Sequence, residues 1–290
     1  MNPIGKSELI LNTDGSIYHL NLHPEDIADT VIVVGDAGRV NNISKRFDRI
    51  ELKKENREFV THTGTLGGKR LTVLSTGIGI DNIDIVLNEL DAIVNIDLKT
   101  RMLKYDRKSL NIIRLGTSGA LQEDVPVDSF VASTHGVGID GLLYFYEASR
   151  NYIEAEMTGE FIRHTGWSLD LPSPYIVAAS DELLAKLGDG YIHGMTATAP
   201  GFYGPQGRVL RLQLAKEDLL DRLQSFEFEG KRITNFEMET SALFGLSKML
   251  GHKAVTVCAI VANRLRQEFS NDYHKNIEKL ISKLLDVLIS

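Results

Sequence analysis

The sequence predicts one α/β domain built on a mostly parallel or mixed sheet, and three observations carry that prediction. Short apolar, β-branched runs alternate with amphipathic helical segments along the whole chain. Several of these runs end in glycine-bearing turns, the punctuation expected where a strand hands over to a helix. No proline-rich linker, low-complexity stretch or internal repeat divides the 290 residues, so 1–290 reads as a single unit.

Composition narrows the function. With 43% hydrophobic and 24% charged residues, the chain is ordinary for a globular protein. The formal charge of −7 and the lack of a long basic run argue against a nucleic-acid partner. Cys258 is the only cysteine, which excludes an intrachain disulfide and any multi-cysteine metal site and points to a reducing compartment. It lies in the apolar run 254–262 and reads as a buried strand residue rather than a nucleophile. Residues 1–11 lack the apolar core of a secretory signal, and no run approaches a membrane span. The expected location is therefore the cytoplasm, with no membrane partner.

Each element follows from its own stretch. The chain opens with a polar arm over 1–16, and residues 17–22 alternate as a short strand or extended arm would, with His19 as an expected surface residue at the middle. The β-branched run 30–34 ends in Gly35, Asp36, Ala37, Gly38 and Arg39, ahead of a predicted helix over 40–47. A strand, a glycine turn and a helix start present free N–H groups and a positive dipole end, and Arg39 adds a bidentate cation, so this is a candidate anion site. Residues 59–66 and 70–74 flank Gly67 and Gly68 as a hairpin that 76–79 terminates. Ile85, Val86, Leu90 and Ile93 recur at helical spacing and predict a helix over 82–96. Lys99, Arg101, Lys104, Arg107 and Lys108 then form a basic cluster, for which a solvated helix end or loop is a plainer account than a local partner site.

Residues 111–120 form another strand ending in small residues, and Arg114 interrupts its apolar alternation. A guanidinium cannot shed its charge, so it needs a partner, either bound phosphate or a carboxylate. A strand over 129–134 leads to Gly136, Gly138 and Gly141, which formally match a dinucleotide-binding pattern. The match is weak, because the aromatic-rich 142–146 does not read as the opening of a helix. A short helix over 181–187, a strand over 191–198 and a glycine-bracketed loop over 201–208 follow. That loop sets Phe202 and Tyr203 beside Gln206 and Arg208, which offer donors and an acceptor to a flat heterocycle.

After a polar helix near 216–223, residues 235–241 place Glu237 and Glu239 where a strand runs into a helix. These carboxylates either grip hydroxyls of a polar ligand or decorate a helix N-terminus, where the macrodipole favours acids. A strand over 254–261 ends at Asn263 and Arg264, and a helix over 271–289 puts Ile277, Leu280, Ile281, Leu284, Leu285 and Leu288 on one face to close the core.

In this order, the segments 35–39, 57–59, 75–79, 114–119, 202–208, 235–240 and 263–264 resemble the nucleoside phosphorylase superfamily, in its pyrimidine branch, from about residue 19 to about residue 268. The resemblance implies a single-domain, three-layer α/β/α sandwich around a mixed, distorted central sheet. It also implies phosphorolysis of uridine, or a related pyrimidine nucleoside, to uracil and ribose 1-phosphate. On this basis Gly35, Arg39, Arg114 and Thr117 match phosphate-binding positions, and Arg57 matches an arginine donated by a neighbouring subunit. His19 matches a histidine that crosses the same interface to the ribose 5′-hydroxyl. Glu237, Met238 and Glu239 match the ribose-binding segment, with Glu239 on the 2′ and 3′ hydroxyls. Gln206 and Arg208 match the pair that reads uracil, with Phe202 against the base and Asn263 and Arg264 in support.

Shared sites of this kind require a homo-oligomer. Inorganic phosphate is a co-substrate, and the resemblance implies no metal and no organic cofactor. The chain departs from the pattern at Ala37, at Asp81 and Asn82, at the order of Gly204 and Pro205, and in what looks like an insertion at about 96–109. A purine enzyme is the nearest alternative, but purine members tend to carry a Ser-Asp pair where this chain has Asn263 and Arg264. A nucleosidase would leave Arg39, Arg57 and Arg114 with no anion to meet. A non-catalytic nucleoside-binding protein should have lost part of the arginine set or Glu239.

Overall fold

The structure, a computed structural model, describes residues 2–290. In chain order it comprises β1 (Thr30–Val34), α1 (Ala37–Ser44), β2 (Arg49–Asn56), β3 (Phe59–Leu66), β4 (Lys69–Ser75) and α2 (Ile80–Asn95). Next come the short β5 (Ile96–Asp97) and β6 (Met102–Leu103), then β7 (Asn111–Ala120), β8 (Phe130–Gly138), α3 (Ala155–Thr165), β9 (Tyr175–Ala178), α4 (Asp181–Lys186) and β10 (Ile192–Thr198). The last third contains α5 (Leu219–Gln224), β11 (Glu227–Phe228), β12 (Lys231–Glu237), α6 (Thr240–Leu250), β13 (Lys253–Asn263), β14 (Glu268–Phe269) and α7 (Tyr273–Ile289).

One mixed sheet runs in the order β11-β12-β10-β8-β13-β7-β1-β4-β3-β2. Its centre is parallel at β13–β7, β7–β1 and β1–β4, and the β2–β3–β4 meander is antiparallel, with Gly67 and Gly68 at the second turn as the hairpin pattern predicts. At the other end the sheet curls until β12 pairs antiparallel with β7, Asn235 opposite Ala120 and Phe236 opposite Gly119. β7, β13, β8, β10 and β12 thus close into a ring, which removes the free edge they would otherwise leave. This closure is the distortion of the sheet, and it brings the C-terminal ends of β7, β12 and β13 to one place.

Helices cover both faces. Ile83, Val86, Leu90 and Ile93 of α2 and Leu243 and Leu246 of α6 pack on one side, while Val40 and Ile43 of α1 and Ile277, Leu280 and Leu284 of α7 pack on the other. Met157 and Phe161 of α3 and Leu223 of α5 fill the outside of the curled end against Met195, Ile233 and Phe236. Among the described residues no helix is long and apolar enough to cross a membrane.

Several local expectations change. Residues 17–22 form a turn rather than a strand: Ile17 donates to the Leu22 carbonyl, Asn21 donates to that of Ile17 with a φ of 53°, and Ile17, Leu20 and Leu22 all point inward. Residue 1 of the expected polar arm lies outside the described residues. The rest of the arm folds onto the protein, with Leu9 buried and Arg101 donating to the carbonyls of Ile4, Gly5 and Leu9. The basic cluster is therefore partly structural, since Lys104 also donates to the Val94 carbonyl at the end of α2 (2.9 Å). β2 escaped prediction because it is a polar edge strand, and Gly136 and Gly138 sit inside β8 rather than in a phosphate turn. A Cβ there would lie 2.6 Å from Ser241 and 2.3 Å from the Tyr175 ring.

Candidate active site

The site is built where β12 stops and α6 begins. Glu237, the last residue of β12, accepts hydrogen bonds from the backbone N–H groups of Glu239 (3.0 Å) and Thr240 (3.0 Å) and so caps α6. Glu239 takes a different set of partners: its Oε1 accepts from the Gly79 N–H at 2.8 Å, and its Oε2 pairs with an Arg114 Nη. Gly79 has a φ of 101°, a conformation that favours glycine, and this turns its N–H toward the carboxylate.

Arg114 rises from β7 between the two acids, with Nη1 3.2 Å from Glu237 Oε2 and 3.4 Å from the Cys258 sulfur. It folds back along its own strand over Gly116, where a Cβ would meet Nη1 at 2.1 Å. Burial opposes its charge, but Glu239 and Glu237 outweigh that and hold its pKa above the ordinary value. Burial lifts the Glu237 carboxyl, with Arg114 pulling the other way. Glu237 and Glu239 supply the carboxylate partner that the sequence allowed Arg114. Burial also raises the Cys258 thiol to about 11, in keeping with a structural cysteine.

At one side of this pair lies the start of α1. Asp36 caps it through the Gly38 N–H (2.9 Å), which starts the helix at Ala37, earlier than its apolar pattern suggests. Arg39 is buried beneath it and donates to the Leu115 carbonyl (3.1 Å); burial holds its pKa below the usual arginine value. The 201–208 loop, which lines the same cavity, turns through Gly204–Gln206. The Arg208 guanidinium sits 3.8 Å from the centre of the Phe202 ring and donates to Gln206 Oε1 at 2.6 Å.

One cavity of about 780 Å³ joins these parts, a volume in the range of small-molecule sites. It brings together Gly35, Arg39, Arg114, Thr117, Glu237, Met238, Glu239, Phe202, Gln206 and Arg208, all expected from the sequence. His19 and Arg57 do not line it. His19 Nδ1 lies 2.7 Å from Glu89 Oε1, and Arg57, with a φ of 56°, lies exposed beside the Tyr18 ring. Asn263 and Arg264 also stand outside. Asn263 donates to the carbonyls of Gln122 and Val125, and Arg264 donates to those of Gln206 and Gly207, which pins the 201–208 loop from behind.

Sequence reasoning did not single out Glu58, Ile78, Asn82 and Phe269 as site residues, and all four also line the cavity. Glu58 adjoins Arg57 and was within reach of the motif. Phe269 belongs to β14, folded antiparallel onto the end of β13, and no local pattern announces that contact. Chemically, the cavity combines a helix N-terminus with two buried guanidinium groups, an acceptor-rich carboxylate, and an amide–guanidinium pair beside an aromatic ring. That combination suits a ligand with an anion, a polyol and a flat polar ring.

A family model described as the phosphorylase superfamily matches residues 29–289. The chain is 30% identical over 278 residues to a uridine phosphorylase of Thermococcus kodakarensis, covering 95% of this chain and 87% of that one. It is 28% identical over 283 residues to the Haemophilus influenzae uridine phosphorylase, covering 94% and 96%. Among solved structures it resembles a Trypanosoma brucei nucleoside phosphorylase described as showing uridine phosphorylase activity, with a TM-score of 0.87, 31% identity and coverage of 97% and 99%.

Proposed function

The chain belongs to the phosphorylase superfamily, and on that premise we infer that it catalyses reversible phosphorolysis of uridine to uracil and ribose 1-phosphate. The observation that carries this reading is a single cavity lined by Arg39, Arg114 and Thr117, by Glu239, and by Gln206 and Arg208 together. Phosphate lies at the α1 N-terminus against Arg39, Arg114 and Thr117. Glu239 and the Met238 segment hold the ribose, and Gln206, Arg208 and Phe202 hold uracil.

In the reaction, the bond from C1′ to the base nitrogen breaks with its electron pair leaving on uracil, and a phosphate oxygen bonds to C1′. Positive charge builds on the sugar and negative charge on the base. Phosphate stabilises the first and the fixed cation of Arg208 the second, so catalysis is mainly electrostatic and positional. None of these steps requires a metal or an organic cofactor.

Arg57 and His19 reach the site from a neighbouring copy, which makes the working enzyme a homo-oligomer. Their positions outside the cavity of their own subunit support this reading. Mixing His19→Ala with Arg208→Ala subunits tests it, since shared sites restore activity in mixed oligomers and unshared sites do not. The reaction itself is tested by ultraviolet-monitored cleavage of uridine and of inosine, each with and without phosphate. Phosphate-dependent loss of uridine with little loss of inosine is the expected result. Preference for inosine overturns the base assignment, and cleavage without phosphate makes the protein a nucleosidase.

A further inference from the structure

We propose that Thr198 is a positioning residue for the ribose and phosphate ends of the site, and that Glu237, through which it acts, serves the protein rather than the substrate. The proposal rests on the uridine reading for its kinetic arm only. Thr198 ends β10, is fully buried and does not line the cavity. Its hydroxyl accepts from the Ser241 N–H at 2.9 Å and donates to Glu237 Oε1 at 2.7 Å. With one lone pair engaged by that N–H, the single hydroxyl proton is directed at the carboxylate. Ser241 is itself anchored from behind, its Oγ 3.0 Å from the Tyr175 hydroxyl and 3.1 Å from Asp140.

An ionised carboxylate has roughly four acceptor sites. Glu237 Oε1 takes Thr198 and the Thr240 N–H (3.1 Å), and Oε2 takes the N–H groups of Glu239 and Thr240 and the Arg114 guanidinium. No capacity remains for a ribose hydroxyl. Glu239 differs: its Oε1 takes only the Gly79 N–H, so an acceptor site stays open toward the cavity. The chain of contacts therefore runs from Thr198 to Glu237, from Glu237 to Arg114, and from Arg114 to Glu239, and it ends on the carboxylate that has room for sugar hydroxyls.

The test compares Thr198→Val, which keeps the shape and removes the hydroxyl, with Thr198→Ser, which keeps the hydroxyl. One readout is crystallographic, with inorganic phosphate as the probe: the Arg114–Glu239 contact opens in Thr198→Val and is kept in Thr198→Ser. The other is kinetic. In Thr198→Val the KM for phosphate rises about ten-fold, the advantage of uridine over 2′-deoxyuridine in kcat/KM shrinks by about the same factor, and Thr198→Ser restores both to within about three-fold. Should Thr198→Val fail to fold, Glu237→Gln loosens Arg114 from the other side of the link and moves the same two quantities. An unmoved Arg114 and Glu239, or a fall in kcat equal for both nucleosides with KM unchanged, overturns the proposal and leaves Thr198 a simple helix cap. Absence of uridine cleavage by the wild type would defeat the phosphorolysis reading alone, because the crystallographic arm still decides the role of Thr198.

Discussion

At the β12–α6 junction both oxygens of Glu237 are bonded within the protein and Arg114 is clamped between two acids, whereas the 201–208 loop is tied by Arg264 at two carbonyls and carries Phe202 half exposed. In the first region β12 is paired on both edges, with β10 and with β7. The second continues into a segment without regular structure, where Leu210 and Leu212 face solvent. Groups that must meet developing charge on the sugar gain most from a fixed frame, because nothing then has to reorganise at the moment of reaction. On the looser mount, the Arg208 guanidinium keeps its aim through local contacts alone, against the Phe202 ring and Gln206 Oε1.

Breaking the rigid end should have the largest effect. Arg114→Ala leaves two buried carboxylates without their cation, so it should cost about 3–5 kcal/mol in denaturant unfolding and abolish turnover together. A variant of wild-type stability would show that the acids are not paired in solution. At the base end, Arg208→Ala should raise the barrier by about 3 kcal/mol on uridine while leaving the unfolding midpoint nearly unchanged, which separates the two regions cleanly. Wild-type turnover in that variant would refute the base assignment.

A titration sharpens the same contrast, because His135 is buried on β8, one of the strands of the closed ring. Burial, with help from Lys231 and Lys248, pulls its pKa down to about 4. The unfolded chain therefore takes up a proton below about pH 6.5 that the folded chain refuses, and stability falls as pH drops from there and levels off near pH 4. After allowance for partial solvent screening, this contributes up to about 2 kcal/mol. His135→Gln should lose that part of the acid sensitivity in urea midpoints compared at pH 7 and pH 4.5, and equal slopes in both proteins would contradict it. The smallest effect belongs to Arg264→Ala, which frees the back of the base-side loop: about 1 kcal/mol, read as a several-fold rise in the KM for uridine with the phosphate KM unchanged. A matching rise for phosphate would mean that the two ends are not independent.

How much was legible in advance differs between these regions for a physical reason. The base-side loop is local: Phe202, Gln206 and Arg208 lie within one turn, so their grouping could be read directly. The junction was half legible. A charged residue inside the apolar run of β7 announces that Arg114 needs a partner, yet its pairing with Glu237 and Glu239 depends on β12 lying beside β7, a pairing between residues far apart in the chain. His19 shows the same limit. Its stretch alternates like a strand, but Glu89 on α2 captures its ring and its backbone N–H, and a turn results.

By itself, then, the sequence determined the alternation of strands and helices, the glycine turns, the apolar faces of α2 and α7, and which residues carry chemistry, because all of these follow from local pattern and residue type. Tertiary structure alone decided that the sheet closes on itself, that Glu237 is spent on the α6 N-terminus while Glu239 keeps an open acceptor, and that Arg264 braces the loop instead of lining the cavity. Those outcomes turn on which polar groups meet once the strands pair. A buried carboxylate or guanidinium is defined by its partners, and most of its partners are distant in sequence.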